Sequence, residues 1–180
     1  MCSSDLADDE FGGRAGHEIS FQEYFVQRRH GVPITKVRFQ GAASATLTTP
    51  AHLALADART VVIAPSNPIV SIGPIRALAG VDDLLAARRS SVVAISPIVG
   101  GAALKGPADR MLEELGHEAS VVGVARLYAP ISGTLVIDPV DAHLAEAVRA
   151  EGIEPLVVPS IMADPAVATA LARAVLDASA

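Results

Sequence analysis

Two stretches of the chain carry residue types able to hold an anion. The first runs Ala64-Pro65-Ser66-Asn67-Pro68-Ile69-Val70-Ser71-Ile72-Gly73-Pro74-Ile75 and follows the short apolar segment Thr60–Ala64 directly. It places two hydroxyls, one carboxamide and a glycine among three prolines. Prolines fix φ and stiffen the backbone, so the hydroxyls, the amide and the remaining N–H groups can converge on anionic oxygens. Ser66, Asn67, Ser71 and Gly73 are therefore candidate ligand contacts; the plainer reading is a rigid proline-rich turn. The second stretch runs Ser96-Pro97-Ile98-Val99-Gly100-Gly101-Ala102-Ala103-Leu104-Lys105-Gly106-Pro107, again after an apolar run. Gly100 and Gly101 allow close backbone approach to a ligand. Lys105 brings a full positive charge, and a helix starting nearby favours a negative one. The GK[ST] ending of a Walker loop is absent. The plainer reading is a glycine loop with a surface lysine. In an open α/β sheet the ends of neighbouring strands share one crevice, so two such loops reinforce each other.

Other reactive types are less organised. His17, His30, His52, His117 and His143 show no metal-ligand spacing, and His117 behind Gly116 has the look of a solvated helix end. Asp138 and Asp141 follow an apolar run and could face the crevice, although Asp141 also fits as the N-cap of the next helix. Arg88-Arg89 fits a solvated helix end, and Ser132-Gly133 a turn. No GxSxG, HExxH or Ser-His-Asp order supports a hydrolase. No GxGxxG follows a strand, which leaves a dinucleotide dehydrogenase without its fingerprint.

The elements that must position these loops follow from periodicity. Apolar residues at Phe21, Tyr24 and Phe25 predict a short helix over Phe21–Arg29, opened by Ser20 and Glu23 as a capping box. Ile34–Phe39 alternates as a half-exposed strand. Thr49-Pro50 opens a helix to about Ala58. Strands are predicted at Thr60–Ala64, Ser91–Ile95, Thr134–Ile137 and Leu156–Val158, and helices at Val81–Arg88, Gly106–Leu115, Val121–Leu127 and Asp141–Glu151. The last helix is capped by Asp164-Pro165 and runs to about Asp177. This alternation means βαβ units, an α/β fold, a mostly parallel sheet and right-handed crossovers.

Composition agrees. The 180 residues are 51% hydrophobic but only 3% aromatic, with no Trp, as expected for a Val, Ile, Leu and Ala core under helices. A net charge of −6 argues against a broad nucleic-acid footprint. No run approaches the roughly 18–20 apolar residues of a membrane span, and one cysteine makes no internal disulfide. A cytoplasmic setting is expected. Residues 1–17 are acidic and aperiodic and are expected to form a disordered tail; Met1–Leu6 matches one reading frame of a common sequencing adapter, and we expect it to be an assembly scar. Residues 18–180 then form a single α/β domain segment.

The two loops resemble the paired motifs of the 2-phospho-L-lactate transferase family of deazaflavin coenzyme F-420 biosynthesis. The likeness extends to Phe21–Arg29, Ala51–Asp57 and Asp138–Ala180, and the residue choices are similar to its actinobacterial branch. The resemblance implies a Rossmann-like fold with helices on both sheet faces. It implies transfer of a phospholactyl or phosphoenolpyruvyl group from a guanosine diphosphate carrier to the deazaflavin FO, with release of GMP and magnesium as the cofactor. It places Ser66, Asn67, Ser71 and Gly73, then Gly100, Gly101 and Lys105, at the donor. Members are longer; their glycine-rich first strand and their metal and FO ligands lie in an N-terminal half that nothing here matches. The segment is thus expected to be the C-terminal half, inactive alone, and part of a homodimer when complete. A nucleotide-sugar-binding regulator of the same fold is the alternative.

Overall fold

The computed structural model describes residues 4–8 and 18–178. Four parallel strands form the central sheet: β4 (Val61–Ile63), β5 (Val92–Ile95), β8 (Thr134–Ile137) and β9 (Glu154–Val157), side by side in chain order. Ahead of them, β1 (Ser4–Asp8) pairs antiparallel with β2 (Glu18–Ser20) and β3 (Ile34–Phe39). Between β5 and β8 a small hairpin joins β6 (Ile98–Val99) to β7 (Ala102–Ala103). The helices are α1 (Thr49–Asp57), α2 (Gly73–Arg76), α3 (Val81–Ala87), α4 (Ala108–Glu114), α5 (Val121–Tyr128), α6 (Ala145–Ala150) and α7 (Pro165–Asp177).

Parallel strands in chain order, joined by crossovers of one hand, send their connecting helices to one face. Burial follows that rule. Val61, Ile63, Val92, Ala94, Leu135 and Ile137 pack against α3 to α6 in the main core. On the other face Val93, Ile95 and Val136 meet Leu171 and Val175 of α7. The cover is unequal: β5 is buried throughout, whereas Val62 on the edge strand β4 is 46% exposed. No helix among the described residues is long and apolar enough to cross a membrane.

A smaller cluster of Ile19, Tyr24, Ile34 and Met111 joins the antiparallel strands to α4. A polar network locks it. The Arg110 guanidinium pairs with Glu114 at 2.8 Å and donates to Tyr24 Oη at 3.0 Å and to the His30 carbonyl. Glu114 Oε2 in turn accepts the Ile34 N–H at 3.0 Å.

Several expectations change on contact with the fold. Within the expected tail, Ser4–Asp8 pairs with β3 as a strand, and residues 1–3 and 9–17 lie outside the described ones. Ser20 Oγ does accept the Glu23 N–H at 3.2 Å, but the turn behind it, Glu23–Gln27, is a π-turn, and the Glu23 carboxylate pairs with Arg28. Arg88 and Arg89 are half-buried and bonded to backbone carbonyls rather than free in solvent. Arg88 donates to the carbonyls of Leu55, Ala56 and Ala58, which end α1, and Arg89 to those of Ala129 and Gly152. Helix C-termini leave carbonyls unpaired, and these guanidiniums satisfy them.

Candidate functional site

A cavity of about 740 Å³ opens beyond the C-terminal ends of β4, β5 and β9. Its polar wall carries Ser66, Asn67 and Ser71 from the first loop, Ser96 and Lys105 from the second, and Ser160 from the loop after β9. This is the crevice that an open parallel sheet reserves for ligands.

The first loop gets its shape from Asn67. Its Oδ1 accepts the N–H groups of Ile69 at 2.9 Å and Val70 at 3.2 Å, and its main-chain carbonyl accepts those of Ser71 and Ile72, both at 3.1 Å. Pro68–Ile72 winds into one π-turn as a result. The Asn67 amide nitrogen points at Met111 Sδ, 3.4 Å away. Asn67 therefore builds the loop, while the Ser66 and Ser71 hydroxyls on the cavity wall have no protein partner among the described residues. Gly73 faces elsewhere. It opens α2 with ordinary helical φ, and a Cβ there would stand 2.8 Å from the Phe39 ring, beside a separate cavity of about 330 Å³ bordered by Lys36, Arg76 and His117.

The second loop uses its glycines structurally. Gly100 and Gly101, with φ of +61° and +79°, form the two-residue turn between β6 and β7. Two consecutive positive φ values match the twist of a tight hairpin and favour a glycine pair. The Gly100 N–H donates to Asp141 Oδ2 at 2.9 Å, so it is occupied, and neither glycine borders the cavity. Asp141 is 2% exposed and lies within the 3₁₀ segment Pro139–Leu144, so it is not the N-cap. The cap is Asp138: Oδ1 accepts the Val140 N–H at 3.2 Å, and Oδ2 accepts the Ser160 N–H at 2.9 Å, fixing the third wall of the cavity. Ser96 is buried and closes a local turn, its Oγ donating to the Ile98 carbonyl at 2.8 Å and accepting the Ile98 N–H at 3.1 Å.

Sequence reasoning missed the loop Ser160–Ala163 and the pair Phe21 and Phe25, all of which border the cavity. A signal for the loop was present. Pro65-Ser66, Ser96-Pro97 and Pro159-Ser160 repeat one dipeptide chemistry just past three parallel strands.

Electrostatically the wall is simple. Lys105, exposed, is its only charged side chain among the described residues. With hydroxyls around one ammonium and no carboxylate among the described lining residues, the wall can bind an anion. Among the described residues no three His, Cys, Asp or Glu side chains converge as a metal site. Elsewhere, burial pushes the partnerless Tyr128 phenol well above its ordinary value, with the Arg76 guanidinium 6.0 Å from its ring centre acting the other way.

The family model described as "2-phospho-L-lactate transferase CofD" matches residues 10–174. Curated relatives called "Phosphoenolpyruvate transferase" are similar to this chain. The one from Kitasatospora aureofaciens is 41% identical over 170 residues, 93% of this chain and 52% of its own length. That from Mycobacterium avium (strain 104) is 39% identical over 161 residues, 89% and 47%. That from Mycobacterium sp. (strain JLS) is 38% identical over 156 residues, 87% and 47%. The chain spans about half the length of the curated relatives it matches.

Proposed function

The chain belongs to the 2-phospho-L-lactate transferase family, and from that premise we propose that it forms the donor-phosphate site of a transferase in coenzyme F-420 biosynthesis. The donor is a three-carbon acid carried on guanosine diphosphate, and the acceptor is the deazaflavin FO. The name of the relatives favours the enolpyruvyl over the lactyl donor. In the reaction the FO hydroxyl oxygen bonds to the phosphorus nearest the acid. The bond from that phosphorus to the bridging oxygen breaks, GMP leaves, and the hydroxyl proton is lost.

Phosphoryl transfer of this kind depends on positioning and on stabilising charge on phosphate oxygens. The residues of this chain suit that share of the work. Lys105 sets an ammonium against the diphosphate, Ser66 and Ser71 donate hydroxyl hydrogens to it, and Asn67 keeps those serines in place. Magnesium, when bound, would neutralise the diphosphate, with its ligands expected in the N-terminal half; among the described residues no three His, Cys, Asp or Glu side chains converge. The observation that carries the reading is the meeting of Ser66, Ser71 and Lys105 on one cavity at the strand ends.

Calorimetric titration of GMP and GDP into the 180-residue chain, with and without magnesium, tests it. Saturable binding that weakens in Lys105→Ala and in Ser66→Ala/Ser71→Ala is expected. A folded chain that binds neither nucleotide sinks the proposal.

A further inference from the structure

The cavity has a second wall that anion binding leaves unused. Phe25, Leu104, Ile161 and Met162, respectively 37%, 55%, 41% and 53% exposed, all border it. Scattered apolar side chains on a surface need no explanation; several gathered on one concavity mark a binding site. They come from three separate segments, the π-turn Glu23–Gln27, the approach to α4 and the loop after β9, and they share the cavity with Lys105.

Phe25 is held rather than loose. Its ring stacks on Phe21, centroids 5.3 Å apart and planes at 28°, and it meets the His30 ring at 5.4 Å. Arg29 and His30 sit at φ +50° and +46°, a left-handed pair that only glycine adopts freely. Such a pair persists where its surroundings dictate it. Here Arg110 on α4 does so by donating to the His30 carbonyl and to Tyr24 Oη. The aromatic face is thereby fixed to the helix that follows Lys105.

Resting on the reading above, we propose that Phe25 and the Ile161–Met162 segment clamp a planar fused heterocycle beside the phosphate groups held at Lys105. Aromatic rings stack on such heterocycles, and a thioether packs favourably against a ring. Two compounds of that reading carry one, the guanine of the donor and the deazaflavin of the acceptor, and the arms of the test separate them.

The intact chain is titrated with GDP, with FO followed by its fluorescence, and with inorganic pyrophosphate, which has no ring. Phe25→Ala and Met162→Ala, matched to wild type by circular dichroism, should weaken one ring compound roughly tenfold or more. Phe25→Trp should restore it, and pyrophosphate binding should not move. Loss confined to GDP assigns the clamp to guanine; loss confined to FO assigns it to the deazaflavin. Unchanged affinity for both in Phe25→Ala and Met162→Ala overturns the clamp. A wild-type chain that binds pyrophosphate alone also overturns the clamp and spares the anion site, whereas one that binds none of the three overturns both.

Discussion

The loops that follow β4 and β5 start from almost the same ingredients, and the fold uses them in opposite ways. After β4, the chain stays local. Asn67 accepts N–H groups two and three residues ahead, the backbone winds into a π-turn, and Ser66 and Ser71 are left on the cavity wall without protein partners among the described residues. After β5, the chain reaches far. The Gly100 N–H is taken by Asp141, 41 positions later, and the glycine pair closes a hairpin whose turn stands off the cavity. Of the residues the sequence singles out in that loop, Ser96 and Lys105 border the site and Gly100 and Gly101 do not. A glycine- and proline-rich loop thus presents chemistry or structure according to where its backbone N–H groups find acceptors, which its composition does not state.

The contrast is most exposed to attack at Asp141. Replacing it with Ala removes a buried charged acceptor and leaves the Gly100 N–H without its partner. A cost of roughly 1.5–3 kcal/mol is expected, read as a lower urea midpoint with unchanged slope. Asp141→Asn keeps an oxygen acceptor and should cost less. Under conditions where the variant remains folded, anion binding should persist, since Ser66 and Ser71 sit on the other loop. A midpoint unchanged in Asp141→Ala would mean that the hairpin is not held from outside, and the two loops would no longer differ.

Asn67 gives the next effect and sharpens the contrast from the other side. Asn67→Ala removes the acceptor for Ile69 and Val70, as losing a helix cap does, at about 1 kcal/mol. Asn67→Asp preserves that acceptor while adding a negative charge to the cavity wall. Stability should therefore fall in the first variant and hold in the second, while affinity for GDP falls in both. Should Asn67→Asp bind GDP as the wild type does, Asn67 lies further from the phosphates than its place on the wall indicates.

Much of the frame is legible in the residues alone. Ile34–Phe39 and Thr134–Ile137 have the bounds that alternation and apolar runs predict. The last helix starts at the Asp164 cap that the Asp-Pro pair predicts, with Asp164 Oδ1 accepting from Ala166 at 2.8 Å and Val167 at 3.0 Å. These are local causes, written within a few residues of their effects. The candidate site is legible in half. Ser66, Asn67, Ser71 and Lys105 border the cavity, but Gly73 packs against Phe39 and the glycine pair turns a hairpin. The causes here are distant: a two-residue strand gives no periodicity to read, and nothing near Gly100 announces an aspartate 41 positions on. The same holds for Arg88 and Arg89, whose carbonyl partners on other elements make them struts. Ile161 and Met162 are silent in the sequence because apolar residues carry no chemical flag until a cavity gathers them.

Lys105 carries the smallest expected effect on the fold and decides what the second loop adds to the site. It is exposed, so Lys105→Ala should change stability by no more than about 0.5 kcal/mol. Its contribution to binding is a charge, and charge at a solvent-exposed site is screened by salt over a Debye length of roughly 8–10 Å. Wild-type affinity for GDP should therefore fall as salt rises, and Lys105→Ala should bind severalfold more weakly at low salt with a shallower salt dependence. Lys105→Arg keeps the charge and should keep the slope, whatever its changed geometry does to affinity. If Lys105→Ala retains both the affinity and the slope, the loop after β5 supplies only a wall, and the hydroxyls after β4 make the anion site alone. If it loses both, the two loops meet in function although their backbones are built from unlike bonds.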